Sequence, residues 1–248
     1  MKKTRLTAAG ALALAASATL AIPVSASAAR SGKPAGTHVT VRVEGISSTL
    51  IAETAVNTKT GTIVKDGKSS DACEGNTAAV ALQDATKGRW SAGTFSSGLG
   101  YPVIGIKGEE YPFTSNYYWS FWVDGKPATT GICGAKLHKG ERLLFFPQCA
   151  SETEASCTKG NFDPPVLDLT GPKKAHVGKP ITLSVSELAN FTGKAALGKG
   201  VKLTAAGKTV TTGSTGKAKL TFSKAGSYRI LATSPGSIRD ELVVKVAR

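Results

Sequence analysis

Alternation with a period of two dominates the pattern of apolar and polar positions. Val39, Val41 and Val43 alternate with Thr40, Arg42 and Glu44, which predicts a strand with one apolar and one wet face. Further strands are expected near residues 50–56, 90–95, 103–106, 117–123 and 142–146. Between the second and third lies the one good helical segment. Residues 77–86 are rich in helix formers, set Ala78, Ala81, Leu82 and Ala85 on one face, and offer Asn76 or Thr77 as the cap. Two strands, a helix and then more strands is the order of a sheet folded around a single helix. From residue 165 onward the helical period disappears. Short alternating runs replace it: Leu167 and Leu169; Ile181, Leu183 and Val185; Val201 and Leu203; Ala218, Leu220 and Phe222; Tyr228, Ile230 and Ala232; Leu242, Val244 and Val246. About seven strands in so short a span predict a β-sandwich, with Gly213-Ser214-Thr215-Gly216 as a turn and Tyr228 where a tyrosine corner would lie.

Composition divides the chain at the same place. Residues 30–164 hold 14 basic and 13 acidic residues and 13 of the 16 aromatics, whereas residues 165–248 hold 14 basic, 4 acidic and three aromatics. The expected organisation is a signal peptide at 1–29, a first domain at 30–156, a short stiff linker at 157–165 rich in polar residues and proline, and a second domain at 166–248. Lys2, Lys3 and Arg5 precede an Ala/Leu-rich run over residues 6–24, and Ala26-Ser27-Ala28 supplies small residues for cleavage. The expected product is a secreted or cell-wall-associated protein with no transmembrane anchor after signal cleavage. A 41% hydrophobic, 19% charged composition excludes a mostly disordered chain and a multi-span membrane protein.

Four cysteines, Cys73, Cys133, Cys149 and Cys157, form an even set in a chain expected to meet an oxidising compartment. Three pairings are open to them. The favoured one joins Cys149 to Cys157 as a short clip and Cys73 to Cys133 as a staple between distant elements. A zinc site is disfavoured, because no two cysteines have the spacing that presents both thiolates to one ion.

Residues 117–122, Tyr-Tyr-Trp-Ser-Phe-Trp, put five aromatics into six positions. Strand alternation sends Tyr117, Trp119 and Phe121 to one face and Tyr118 and Trp122 to the other. One face suits the domain core, and the other must meet the second domain, a loop or a ligand. Tyr118, Trp119 and Trp122 are therefore the candidate ligand-binding residues. The run Tyr118-Trp119-x-Phe121-x-Val123-Asp124-Gly125, followed by Gly131, Leu137, Gly140-Glu141 and Leu143-Leu144-Phe145, resembles the C-terminal β-domain of transcobalamin and intrinsic factor and the related bacterial domain DUF4430. The likeness covers most of residues 38–147. It implies a β-grasp-like α+β domain and a small-molecule site, corrinoid in the vertebrate members. Residues 165–248 resemble the bacterial immunoglobulin-like modules of secreted proteins. The expected fold class is thus mainly β: a β-grasp-like α+β domain with one helix, followed by an immunoglobulin-like β-sandwich.

No catalytic constellation stands out, and no enzyme or cofactor is expected. The three histidines, His38, His138 and His176, sit in polar settings without a nucleophile and orienting acid in recognisable sequence. The basic second domain carries formal charge +10, with Lys202, Lys219, Arg229 and Lys245 alternating with core positions and so pointing outward. These four are the candidate envelope-binding residues. Anionic cell-envelope polymers are their expected partners; nucleic acid is not, for want of aromatics on which bases could stack. Two functions follow. One is a secreted non-catalytic protein that binds a small ligand or an extracellular partner. The other is a structural or adhesive envelope protein attached through its basic domain.

Overall fold

The computed structural model describes residues 36–58, 61–150 and 163–248. The expected signal peptide and most of the expected linker lie outside them. All described residues belong to one compact unit, Lys33–Arg248.

The first half runs β1 (Thr37–Glu44), β2 (Thr49–Thr58), α1 (Ala78–Thr86), β3 (Trp90–Ala92), β4 (Val103–Ile106), β5 (Glu109–Glu110), β6 (Tyr117–Val123), β7 (Lys126–Pro127) and β8 (Arg142–Cys149). Its main sheet has the order β2-β1-β8-β6-β7. The β1–β2 pair is an antiparallel hairpin, while β1 and β8 run parallel at the centre. A parallel central pair needs a long crossover, and α1 and the small β3-β4-β5 sheet lie within it. This is β-grasp connectivity. The core forms where Val39, Val41 and Val43 meet Ala78, Ala81 and Leu82 of the helix and Leu143 and Phe145 of β8.

The helix begins where expected, but its cap is tertiary. Thr77 occupies the N-cap position, yet its hydroxyl donates to the Glu74 carbonyl at 2.8 Å. The open N–H groups of Ala78 and Ala79 donate instead to the carbonyls of Ala135 and Ile132, both at 3.0 Å. That supplies partners which a helix start cannot find within itself. Asn76, at φ 61°, does not cap either: its amide donates to the Leu137 carbonyl and accepts from the Thr58 hydroxyl. The capping loop is held by the Cys73–Cys133 disulfide, across a sequence separation of 60, so this expected pairing is present. Cys149 is also disulfide-bonded; Cys157, its expected partner, lies outside the described residues.

The second half runs β9 (Val166–Thr170), β10 (Lys174–His176), β11 (Pro180–Leu188), β12 (Ala195–Leu197), β13 (Lys202–Ala205), β14 (Lys208–Thr211), β15 (Lys217–Thr221), β16 (Gly226–Thr233) and β17 (Asp240–Ala247). One sheet is ordered β10-β17-β16-β13-β14; the other is β12-β11-β15, with β9 also on β11. Leu183, Leu203, Leu220, Ile230 and Val244 fill the space between them. These are immunoglobulin-like sheets, with a parallel β10–β17 contact on one edge. The tyrosine corner is present, because the Tyr228 hydroxyl donates to the Lys224 carbonyl at 2.9 Å and the ring stacks on Phe222. The short strands β10, β12 and β14 were not legible in sequence, since three or four residues are too few to establish a period.

Replacing Cys73 and Cys133 together by serine should destabilise the protein by about 4 kcal/mol, from the entropy of the loop they close. Urea unfolding of the oxidised wild type and the double variant measures this directly, and a difference below about 1 kcal/mol would contradict it.

Candidate functional site

Strand β6 separates its aromatics as alternation demands. Trp119 enters the first core, with Tyr111 5.5 Å away between ring centroids, and Phe121 stacks on Phe145 at 5.5 Å. On the opposite face Trp122, only 1% exposed, joins Leu144 and Phe146 in a separate cluster completed by Val166, Leu188 and Ile238 of the sandwich. Tyr118 shares that face but is 41% exposed, and its partial burial pushes the phenol pKa upward. The face left open by the sequence is therefore the seat of the second half. Of the three aromatic candidates only Tyr118 offers appreciable surface; Trp119 and Trp122 are enclosed on opposite sides of the sheet. The cavity beside Trp122 holds about 40 Å³ and is lined in part by Thr40, Arg42, Arg142 and Asp240. That is room for a few waters and far below the few hundred Å³ of an ordinary ligand pocket.

Around this apolar seat lies a set of buried charges. Arg42 and Glu44 stand on the face of β1 expected to be wet, yet they are 5% and 0% exposed. The reason is that the β16–β17 loop and the start of β17 cover them. Arg42 pairs with Glu44 at 3.2 Å and with Asp240 at 3.1 Å, and it donates to the Arg239 carbonyl. Arg239 reaches back to Glu44 at 2.9 Å and to the Gly45 carbonyl at 2.7 Å. Arg142 adds a second bridge, to Glu53 at 3.4 Å on its own side and to Asp168 at 3.5 Å across the junction. Glu241 accepts from the Glu53 backbone N–H and pairs with Arg229 at 3.2 Å. Asp240 further accepts from the Leu169 N–H at 2.6 Å. Burial pushes the Glu44 carboxyl above its ordinary range, and Arg42 and Arg239 only partly offset this. Burial also disfavours the Arg142 cation, but Asp240, Glu53 and Asp168 more than compensate and raise its pKa. At one end of the junction Gly193, at φ +66°, approaches so closely that a Cβ there would sit 2.7 Å from the Gly125 carbonyl oxygen.

The four basic candidates are all exposed, but they do not share one surface. Lys202, Arg229 and Lys245 lie on β13, β16 and β17 of one sheet, and Lys219 lies on β15 of the other. Arg229 is engaged by Glu241, leaving the lysines as the open cations. The wider pattern is an asymmetry of sign. All eleven lysines of residues 165–248 are exposed, whereas Asp240 and Glu241 are buried and Asp168 and Glu187 are half-buried. Sequence reasoning missed the junction residues Arg42, Glu44, Arg142, Arg239, Asp240 and Glu241, whose only signal was a concentration of acids in a strand otherwise facing a core.

Among the described residues, no three His, Cys, Asp or Glu side chains gather as a metal site requires, and no helix is long and apolar enough to cross a membrane. His138 lies 3.1 Å from Glu141, and His176 lies 3.1 Å from the Arg248 carbonyl oxygen. The sequon Asn190-Phe191-Thr192 has its asparagine buried.

Arg42→Ala leaves Glu44 and Asp240 short of a buried partner and should cost about 3 kcal/mol in urea unfolding; a loss below about 1 kcal/mol, as at an exposed ion pair, would contradict the buried network. Carboxyl titration by NMR should place Glu44 above the ordinary value of 4.5, and Glu74, held down by its hydrogen bond and ion pair to Lys136, below it. The linkage signs are opposite. Stability linked to Glu44 is present below 4.5 and lost as pH rises through its folded pKa, while that linked to Glu74 is present above 4.5 and lost as pH falls through its folded pKa.

No family model matches the chain, and no curated protein matches it. Similar solved structures include a protein of Ruminococcus gnavus proposed to bind metal (13% identity, 46% of this chain and 99% of that one, TM-score 0.32). A CARDB domain from Pyrococcus furiosus in complex with di-metal ions is 19% identical over 34% of this chain and 93% of that one, with a TM-score of 0.23. The PKD domain of an M14-like peptidase from a Thermoplasmatales archaeon is 19% identical over 35% and 98%, with a TM-score of 0.26. At such scores none of these likenesses bears on function.

Proposed function

We propose that this chain is an exported, non-catalytic envelope protein that attaches to anionic polymers through its lysine-covered sandwich, with the β-grasp half held against it as a rigid extension. The observation that carries the reading is the asymmetry of sign: every lysine of residues 165–248 is exposed, while the four acids are buried or half-buried. A small domain so arranged projects a field of one sign, which concentrates polyanions at its surface. Export rests on the expected signal at residues 1–29. The likeness of the first half to the DUF4430 and transcobalamin-type domain rests on sequence motifs alone, since no family model matches, and a small flat ligand on the aromatic strand is the weaker reading. Trp122 packs against Val166 and Leu188 of the sandwich beside a cavity of about 40 Å³, so a corrinoid would have to part the halves to reach it.

Binding of the oxidised mature protein to purified cell walls carrying teichoic acid should fall at least about tenfold between about 50 and about 200 mM NaCl, as polymer counterions are no longer released to advantage. Binding indifferent to salt would overturn the proposal. Saturable, salt-resistant heat on titration with cobalamin would return the weight to the small-ligand reading.

A further inference from the structure

The register of the sandwich places a hydroxyl opposite four of its open strand lysines, Lys208 opposite Ala205 being an exception. Lys217 lies opposite Ser184 and Lys219 opposite Thr182. On the other sheet Lys202 lies opposite Thr211 and Lys245 opposite Ser227. Lys245 is also the direct register partner of Lys174 across the parallel β10–β17 contact. Like charges facing each other across a ladder repel, and none of these lysines has an ion-pair partner among the described residues. An anion between them relieves that repulsion. Ammonium groups with adjacent hydroxyls match the non-bridging oxygens of phosphate esters, which take contacts from Lys, Ser and Thr without needing a bidentate fork. Of the three arginines of this half two are turned elsewhere, Arg229 to Glu241 and Arg239 to Glu44, and the third, Arg248, is an exposed residue beyond the end of β17.

The two lysine sets lie on opposite outer faces, separated by the core of Leu183, Leu203, Ile230 and Val244. Stacked sheets are about 10 Å apart through their backbones, and the side chains on the two outer faces point away from each other. The two sets therefore cannot converge on a single polymer segment. We propose that the sandwich is a two-sided cross-linker of phosphodiester polymers, one strand lying along Lys217 and Lys219 and a second along Lys174 and Lys245. The inference deepens the polymer-binding reading and rests on it.

The test uses purified poly(glycerol phosphate) at low salt, with binding read by sedimentation and cross-linking by light scattering. The native protein should bind and should raise scattering, reversibly with added salt. Lys217→Gln/Lys219→Gln and Lys174→Gln/Lys245→Gln, each checked for a native circular dichroism spectrum and melt, should both keep binding within about tenfold of native and lose the scattering, with the salt slope falling by roughly one and a half as two phosphate contacts go. Native binding without scattering, or undiminished scattering by either variant, overturns the cross-linker while leaving polymer attachment intact. Self-association in place of two faces would show as that second result. Failure of the native protein to bind the polymer overturns attachment and cross-linking together. Equal scattering with hyaluronan, a carboxylate polymer, overturns the assignment to phosphodiesters.

Discussion

A charge taken out of water must find an opposite charge, and this requirement organises the junction between the two halves. Arg42 and Glu44 project from a central strand of the β-grasp sheet onto the face where the sandwich sits. Neither could remain ionised there at tolerable cost unless paired and hydrogen-bonded. The pairing comes from both sides: Glu44 from β1, Asp240 from β17, and Arg239 from the loop between β16 and β17. Such directional contacts admit few relative positions of the halves, unlike a purely apolar seam, which tolerates sliding. The Trp122 cluster supplies apolar burial in the same place, and the ion pairs fix its register.

The same constraint shapes the outer surface. Asp168, Asp240 and Glu241 are committed to arginines, so three of the four acids of the second half are already paired and do not neutralise its lysines. Residual positive charge on the sandwich follows from the pairing as much as from the number of lysines. Alternation along β13, β15 and β17 then divides the lysines between two outer faces, because adjacent residues of a strand point to opposite sides of a sheet. A domain that reads in composition as simply basic becomes, once folded, a two-sided one.

Much of the architecture was legible because it depends on short-range periodicity. Strand β6 was expected at residues 117–123 and occupies Tyr117–Val123, and the division of its aromatics between faces followed from the pleat alone. The helix was legible from its alanines, but its cap was not. The donors of Ala78 and Ala79 are satisfied by carbonyls more than fifty residues away, and no local pattern encodes that. Arg42 and Glu44 misled for a related reason. A polar residue alternating with valine signals a solvated face unless a second layer arrives to cover it, and the identity of that layer lies some two hundred positions downstream.

By itself the sequence determined where the longer strands lie along the chain, the single helix, the even set of cysteines and the imbalance of charge between the halves. Each is a matter of residue type or of spacing over a few positions. Only the tertiary structure decided which surfaces remained available. It closed the Trp122 face, converted the polar side of β1 into a buried ion-pair network and sent Lys219 to the opposite face from Lys202 and Lys245. Those outcomes depend on which distant segments come into contact, and burial, unlike periodicity, is a property of the whole chain.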